Sequence, residues 1–196
     1  LIDHNVGRIQ NMIHELGLDK STLTIFTSDH GEWLGDHGLL HRGAMLYEGL
    51  LRVASILKAP WLKKGVRNNQ PVSTLDIAPI IYDYARLDYP YLPHGQSLRP
   101  QIERNENRDF SFSEWDLRPS RNGTKLKLKT VKTHNTKLTF DMLSETEEMY
   151  NLRDDPDEMD NLFDDKGYAH LKNQLMDMIK SRPEGEIPML EQVGMS

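Results

Sequence analysis

Residues 23–43 read Leu23-Thr24-Ile25-Phe26-Thr27-Ser28-Asp29-His30-Gly31-Glu32-Trp33-Leu34-Gly35-Asp36-His37-Gly38-Leu39-Leu40-His41-Arg42-Gly43. The first five residues form a β-branched and aromatic run without polar interruption, the pattern of a strand buried on both faces in a parallel sheet. The adjoining stretch, Ser28 to Tyr47, is polar, rich in Gly and His, and without regular period. A long loop beyond a strand's carboxyl end is where α/β proteins place their chemistry. Upstream, Ile2, Val6, Ile9, Ile13 and Leu16 recur every three or four positions, which predicts an amphipathic helix closed by Gly17. Downstream, Val53 to Leu57 ends at Ala59-Pro60 and reads as a second strand of the same sheet.

Ser73 or Thr74 caps a predicted helix from Leu75 to about Leu87, with Asp76 in its first turn where the helix dipole favours negative charge. The stretch Asp88–Arg108, rich in Pro, Gly and charge, reads as a boundary. Beyond it Phe110, Phe112 and Trp115, then Leu126, Leu128 and Thr130, then Leu138 and Phe140 alternate with polar residues. Such alternation predicts an antiparallel sheet with one wet face. Asn122-Gly123 supplies hairpin-turn chemistry between its first two runs. A last helix, Lys166 to Ser181, carries Leu171, Leu175, Met178 and Ile179 on one side and should lie across that sheet. The expected class is therefore α/β. Residues 1–100 would end a sheet sandwiched by helices, and residues 101–196 would form a small antiparallel sheet with a packed helix.

Composition narrows the function classes. The chain has 196 residues, no Cys, and 24 Lys plus Arg against 30 Asp plus Glu, a formal net charge of −6. Disulfides, thiolate metal sites and a Cys nucleophile are thereby excluded. No apolar run approaches the ~20 residues a membrane helix requires. Lys125, Lys127, Lys129 and Lys132 alternate, a pattern read as the wet face of an edge strand and not as a nucleic-acid surface. The chain opens on Leu1, so it is expected to be a piece of a longer protein.

Within the loop, a carboxylate beside an imidazole at a strand end, Asp29-His30, suits either a divalent cation or a local hydrogen bond. Gly31, Gly35, Gly38 and Gly43 permit the tight backbone that lets side chains converge. Arg42 supplies a fixed positive charge for a tetrahedral oxyanion. His37 is a candidate acid or substrate contact, or else a loop histidine bonded to backbone. Trp33 would line a substrate pocket or cover the core. Tyr47 and Glu48 are expected to anchor the loop through hydrogen bonds.

The block TIFTSDHGEWLGDHGLLHRGAMLYEGLLRV resembles the second signature of the type I sulfatases of the alkaline phosphatase superfamily. VSTLDIAPIIYDYARL is similar to that family's helix after the active-site strands, and HGQSLRP to its "GxSL" turn. VKTHNTKLTFD resembles its "R-x-x-x-x-K-L" strand, with Lys132 and Lys137 in the basic positions, and MYNLRDDPDEMDNL its "LYDLxxDPxExxNL" stretch. The resemblance implies that Asp29 and His30 are protein ligands of a calcium ion. A hard cation prefers oxygen, so His30 either ligates weakly or contacts the sulfate. Arg42 stands where relatives usually have Lys. It keeps the charge but gives up no proton at useful pH, which leaves it the role of clamping the sulfate.

The family's nucleophile is a formylglycine made from Cys or Ser in a "C/S-x-P-x-R" motif of the N-terminal half, and this chain has no such block. Leu117-Arg118-Pro119-Ser120-Arg121 ends like it but places Leu, without a nucleophilic atom, at the reacting position. The acidic run Asp154, Asp155, Asp157, Glu158 and Asp160 lacks the Gly and Glu spacing of an EF-hand and reads as a solvated turn. The resemblance thus implies the C-terminal part of a metal-dependent hydrolase of sulfate esters, contributing half of the metal and sulfate site and inactive alone. Two alternatives stand beside it: a phosphonate monoester or phosphodiester hydrolase on the same scaffold, and a non-catalytic module. The expected partners are a small sulfated substrate and either the N-terminal half of the same protein or a second copy joined through the exposed sheet. Nucleic acid and a membrane span are not expected.

Overall fold

The computed structural model describes residues 1–90, 93–117 and 125–182. Helix α1 spans Ile2–Glu15, and the chain reverses through Gly17 at φ 68° into strand β1, Thr24–Thr27. Strand β2, Ser55–Lys58, pairs with β1 antiparallel, Phe26 lying opposite Ile56. The two strands thus share one sheet as expected, but they are antiparallel to each other, and β1 is only half-buried. A parallel partner would have to come from outside the described residues. Every residue of α1 is at least partly exposed, and of the predicted stripe Ile2, Ile9 and the capping Leu16 face solvent while Val6 and Ile13 are half-buried.

Helix α2, Glu48–Leu51, ends the long loop. Helix α3, Ile77–Ala85, is entered through a 3-10 turn at Thr74–Asp76. Ser73 and Asp76 form a capping box there: the Ser73 hydroxyl accepts from the backbone, and Asp76 Oδ2 accepts the Ser73 amide at 2.7 Å. Asp76 is completely buried and also receives the Gln96 amide at 2.9 Å and the guanidinium of Arg108. Arg86 ends α3 in the left-handed conformation, φ 57°. The 88–108 boundary stretch contains a helix the sequence did not announce, α4, Arg99–Glu103, started by Pro100 in its first turn. At five residues it is too short to leave a period.

Strands β3, Phe110–Leu117, β4, Leu126–Thr133, β5, Thr136–Asp141, and β6, Glu147–Asn151, form one antiparallel sheet in sequence order. The proposed turn at Asn122-Gly123 and the Arg118–Arg121 segment lie outside the described residues. Helix α5, Ala169–Ser181, preceded by a 3-10 turn at Lys166–Tyr168, packs on the face that carries Val131, Leu138 and Met149 and buries Leu175 and Ile179 against them. Burying a side chain of this size contributes roughly 1.5–3 kcal/mol.

The opposite face overturns two expectations. Strand β4 is central, between β3 and β5, not an edge, and the other face is not wet. It is covered by the long loop, whose Trp33, Leu46 and Leu50 pack on Leu128 with Trp115 and Leu126 around them. On this face Lys132 pairs with Glu48 of the loop. Polar residues alternate along these strands because the covering layer is itself a polar loop with backbone groups to satisfy. Among the described residues no helix is long and apolar enough to cross a membrane.

Candidate functional site

The 29–50 loop folds back on itself at glycines that admit no side chain. The Gly31 amide donates to Leu50 O at 2.7 Å, and a Cβ on Gly31 would lie 2.1 Å from Gly49 O. Gly43 lies against the Trp33 ring, where a Cβ would approach within 2.7 Å. Trp33, 5% exposed, is the keystone beneath the loop, the second of its two expected roles. Leu34, His37 and His41 all hold positive φ (53°, 54° and 65°), a concentration of strained backbone of the kind found at sites.

Asp29 and His30 stand just past β1. Asp29 is exposed, and its Oδ1 accepts the His30 amide at 3.0 Å. That bond, then the nearby imidazole, holds its carboxyl below the usual carboxylate range. The His30 ring is fixed by Nδ1, 2.6 Å from Gly31 O. A carbonyl can only accept, so Nδ1 carries the proton and Nε2 keeps its lone pair. Nε2 lies 3.7 Å from Asp29 Oδ2 and 3.5 Å from Arg42 Nη1, which donates to it. A carboxylate, a lone-pair nitrogen and a fixed cation therefore converge. They adjoin a cleft of about 900 Å³ between the β1–β2 pair and the C-terminal sheet, lined by Asp29, His30, Glu48, Ser113, Lys132 and His134 among others.

His37 does not join that group. Its ring stacks on Tyr47, centroids 3.7 Å apart. The Tyr47 hydroxyl donates to Glu148 Oε1 at 3.2 Å. Desolvation, then the Glu148 charge, pushes the phenol up to about 12, while burial lifts the Glu148 carboxyl in turn. Beneath Tyr47 sits a charge network that sequence reasoning missed. Glu158, expected in a solvated turn, is 3% exposed and ion-paired to Lys137, itself 1% exposed. Desolvation pushes the Lys137 ammonium down, with Glu158 pulling the other way. The pair falls within the K-L and DPxExxNL blocks. Their recurrence as motifs was the one signal available, because a charged residue in an acidic run carries no mark of burial.

Among the described residues no group of three or more His, Asp or Glu could hold a metal. Asp29 and His30 fit one half of a cation site: an exposed carboxylate whose Oδ1 is held by the His30 amide while Oδ2 faces the imidazole, and a ring nitrogen whose present neighbour, Arg42, lies at the long distance of 3.5 Å.

The β1–β2 pair, the loop at its strand end and the helix-backed antiparallel sheet are those of the sulfatase fold. The chain belongs to the family described as N-sulphoglucosamine sulphohydrolase, C-terminal, whose profile matches residues 35–184. It is 29% identical over 187 residues to an N-acetylglucosamine-6-O-sulfatase of Bacteroides thetaiotaomicron, covering 91% of this chain and 33% of the relative. A solved protein in complex with its substrate D-glucosamine-2-N,6-O-disulfate superimposes with a TM-score of 0.74 at 28% identity, over 92% of this chain and 37% of the other. The phosphonate monoester hydrolase of Agrobacterium radiobacter does so with a TM-score of 0.79 at 27% identity, over 92% and 38%. The chain spans about a third of the length of the curated relative.

Proposed function

We propose that this chain is the C-terminal part of a metal-dependent sulfuric ester hydrolase and supplies half of its site. The convergence of Asp29, His30 Nε2 and Arg42 at the end of β1 carries this reading. Asp29 and His30 would help hold a calcium ion, which when bound neutralises charge on the sulfate. Arg42 clamps the sulfate oxygens, since a guanidinium offers paired donors and stays charged throughout. His37, stacked on Tyr47, is the candidate proton donor or substrate contact. Residues 1–100 close the catalytic α/β layer and residues 101–196 buttress it.

The nucleophile, expected as formylglycine, and the remaining metal ligands belong to an N-terminal part of the same polypeptide. Two observations support that partner: Ile2, Ile9 and Leu16 of the α1 stripe lie uncovered, and the relatives extend far beyond the matched third. The relatives make a sulfated amino sugar the first substrate to test. The fit to a phosphonate monoester hydrolase supports a second reading on the same half-site.

The test is hydrolysis of 4-nitrophenyl sulfate, glucosamine 6-sulfate and the phosphonate monoester 4-nitrophenyl phenylphosphonate by the polypeptide that includes the N-terminal part, in calcium-containing buffer, with Asp29→Ala as control. Turnover of the sulfates that Asp29→Ala abolishes, together with weaker calcium binding by calorimetry, is the expected result. Preference for the phosphonate selects the second reading. Turnover of none of them, or full activity in Asp29→Ala, overturns both.

A further inference from the structure

We infer that Lys137 and Glu158 are positioning residues: their buried ion pair clamps the backbone on either side of Tyr47 and thereby sets where His37 stands. This rests on the reading of the 29–50 loop as half of a hydrolase site. Lys137, the second residue of β5, donates from Nζ to Leu46 O at 2.7 Å, across 91 positions of sequence. Glu158 accepts the Glu48 amide on Oε2 at 2.7 Å, across 110 positions. The carbonyl before Tyr47 and the amide after it are thus held by the two halves of one ion pair. The ring between them is fixed as well. Its hydroxyl is bound by Glu148, the Lys137 ammonium lies 5.7 Å from its centroid, and its open face is where the His37 imidazole rests.

Stability alone does not call for such a pair. Removing two charges from water costs more than their attraction commonly returns, and well-packed apolar replacements of similar volume are often as stable or more so. This chain has an apolar core on the far face of the same sheet that shows the alternative. Yet on the loop-facing side the start of β5 presents a lysine, paired across the strands with Tyr150, and Glu158 holds φ 57° where it meets it. What an apolar pair could not supply is a donor aimed at Leu46 O and an acceptor aimed at the Glu48 amide. These two bonds fix a loop that is otherwise polar, glycine-rich and backbone-strained.

The experiment compares three forms of the polypeptide that includes the N-terminal part: wild type, the double variant Lys137→Met/Glu158→Leu, and Glu158→Gln. The double variant fills the same volume without charge. It is expected to stay folded, to lose kcat by on the order of 100-fold because a displaced group is poorly aligned, and to leave KM within about threefold because neither residue touches substrate. Hydrogen exchange read by mass spectrometry should speed up in peptides spanning residues 44–51 and stay slow in β4 and β5. Glu158→Gln keeps the size but has one acceptor where Glu158 uses two, Oε1 for Lys137 and Oε2 for the Glu48 amide, so the protection of the Glu48 amide and kcat should fall together.

A folded double variant with kcat within about twofold of wild type makes the pair merely structural and overturns the proposal. So does a Glu158→Gln variant that loses protection at Glu48 yet keeps its kcat, a comparison that decides the matter even where the double variant does not fold. Failure of the wild type to hydrolyse any of the three esters sinks the functional reading instead. The exchange comparison still reports on the clamp in that case.

Discussion

The imidazole of His37 lies on the ring of Tyr47 with centroids 3.7 Å apart and planes within 8° of parallel, and His37 holds φ 54° to reach it. A left-handed backbone at a residue other than Gly costs about 1–2 kcal/mol, so the stack has to offset a local strain. It can do so because Tyr47 is itself immobile, bonded through its hydroxyl to Glu148 of β6. The position of a loop histidine is in this way set by a strand more than a hundred residues later.

Tyr47→Phe should therefore keep the stack, and Tyr47→Leu should lose it. By nuclear magnetic resonance, the upfield ring-current displacement of the His37 ring protons is expected to persist in the Phe variant and to collapse toward a free-histidine value in the Leu variant. Equal displacement in both variants would mean that the ring does not hold His37.

The same phenol gives a pH dependence with a definite sign. Its pKa in the folded protein is raised from the usual 10.0 to about 12, with burial as the largest cause. A group raised on folding stabilises fully below its unfolded pKa and loses that contribution as pH rises through the folded value. The wild type should lose stability between pH 10 and about 12 more steeply than Tyr47→Phe. Urea unfolding at a series of alkaline pH values checks this, and parallel curves count against it.

How legible was this in the sequence? Helix α5 and the 166–181 reading coincide because Leu171, Leu175 and Ile179 keep a helical period over an apolar face that nothing else covers. A cap at Ser73 or Thr74 was equally visible, since capping chemistry is local, but that Ser73 is the one and that Asp76 reaches back to complete a capping box came only with the fold. The antiparallel pairing of β1 with β2 was not, because a four-residue apolar run has no directional signal. The loop-facing side of the C-terminal sheet was misread for a deeper reason. Lys132, Lys137 and Glu158 look like solvated charges in any window of sequence. Their partners, Glu48, Leu46 O and each other, are supplied by elements up to 110 residues away. Asp29, His30 and Arg42 were singled out by residue type, and the fold brings them together, yet the tautomer of His30 depends on the Gly31 carbonyl, which only the fold locates.

Asp141 at the end of β5 carries the acid side of the stability profile. It is buried, which raises its pKa, but the Ser144 hydroxyl and the amides of Lys127 and Leu143 outweigh that and bring it below 3.8. A carboxyl lowered on folding stabilises above its unfolded pKa, and the contribution is lost as pH falls through the folded value. Asp141→Asn should cost about 1–3 kcal/mol near neutrality. The gap between variant and wild type should close below pH 3.8, as read from thermal or urea unfolding across the acid range.

Gly31→Ala tests the close approach that shapes the loop. A Cβ there meets Gly49 O at 2.1 Å, with Leu50 O 3.1 Å away. Backbone on both sides leaves no flexible group to yield, so the crossing must open and the Gly31–Leu50 hydrogen bond must break. Trp33, buried just beyond the crossing, should shift its fluorescence to the red as water reaches it. An unshifted spectrum with unchanged stability would show that the loop closes by other contacts.

Leu175→Ala asks whether the two faces of the C-terminal sheet unfold together. Leu175 is completely buried on the α5 face, and its truncation should cost about 2–5 kcal/mol through lost contact and the cavity left behind. Trp33 and Trp115 report from the other face, against Leu128. Because Val131 and Leu138 lie in the same two strands as Leu128 and Lys137, neither layer has a sheet of its own to stand on. Urea transitions followed by tryptophan fluorescence and by far-ultraviolet circular dichroism should therefore coincide in wild type and variant, with a lower midpoint and an unchanged slope in the variant. A fluorescence transition that stays at the wild-type midpoint while the helical signal melts early would mean that the site loop is held independently of α5.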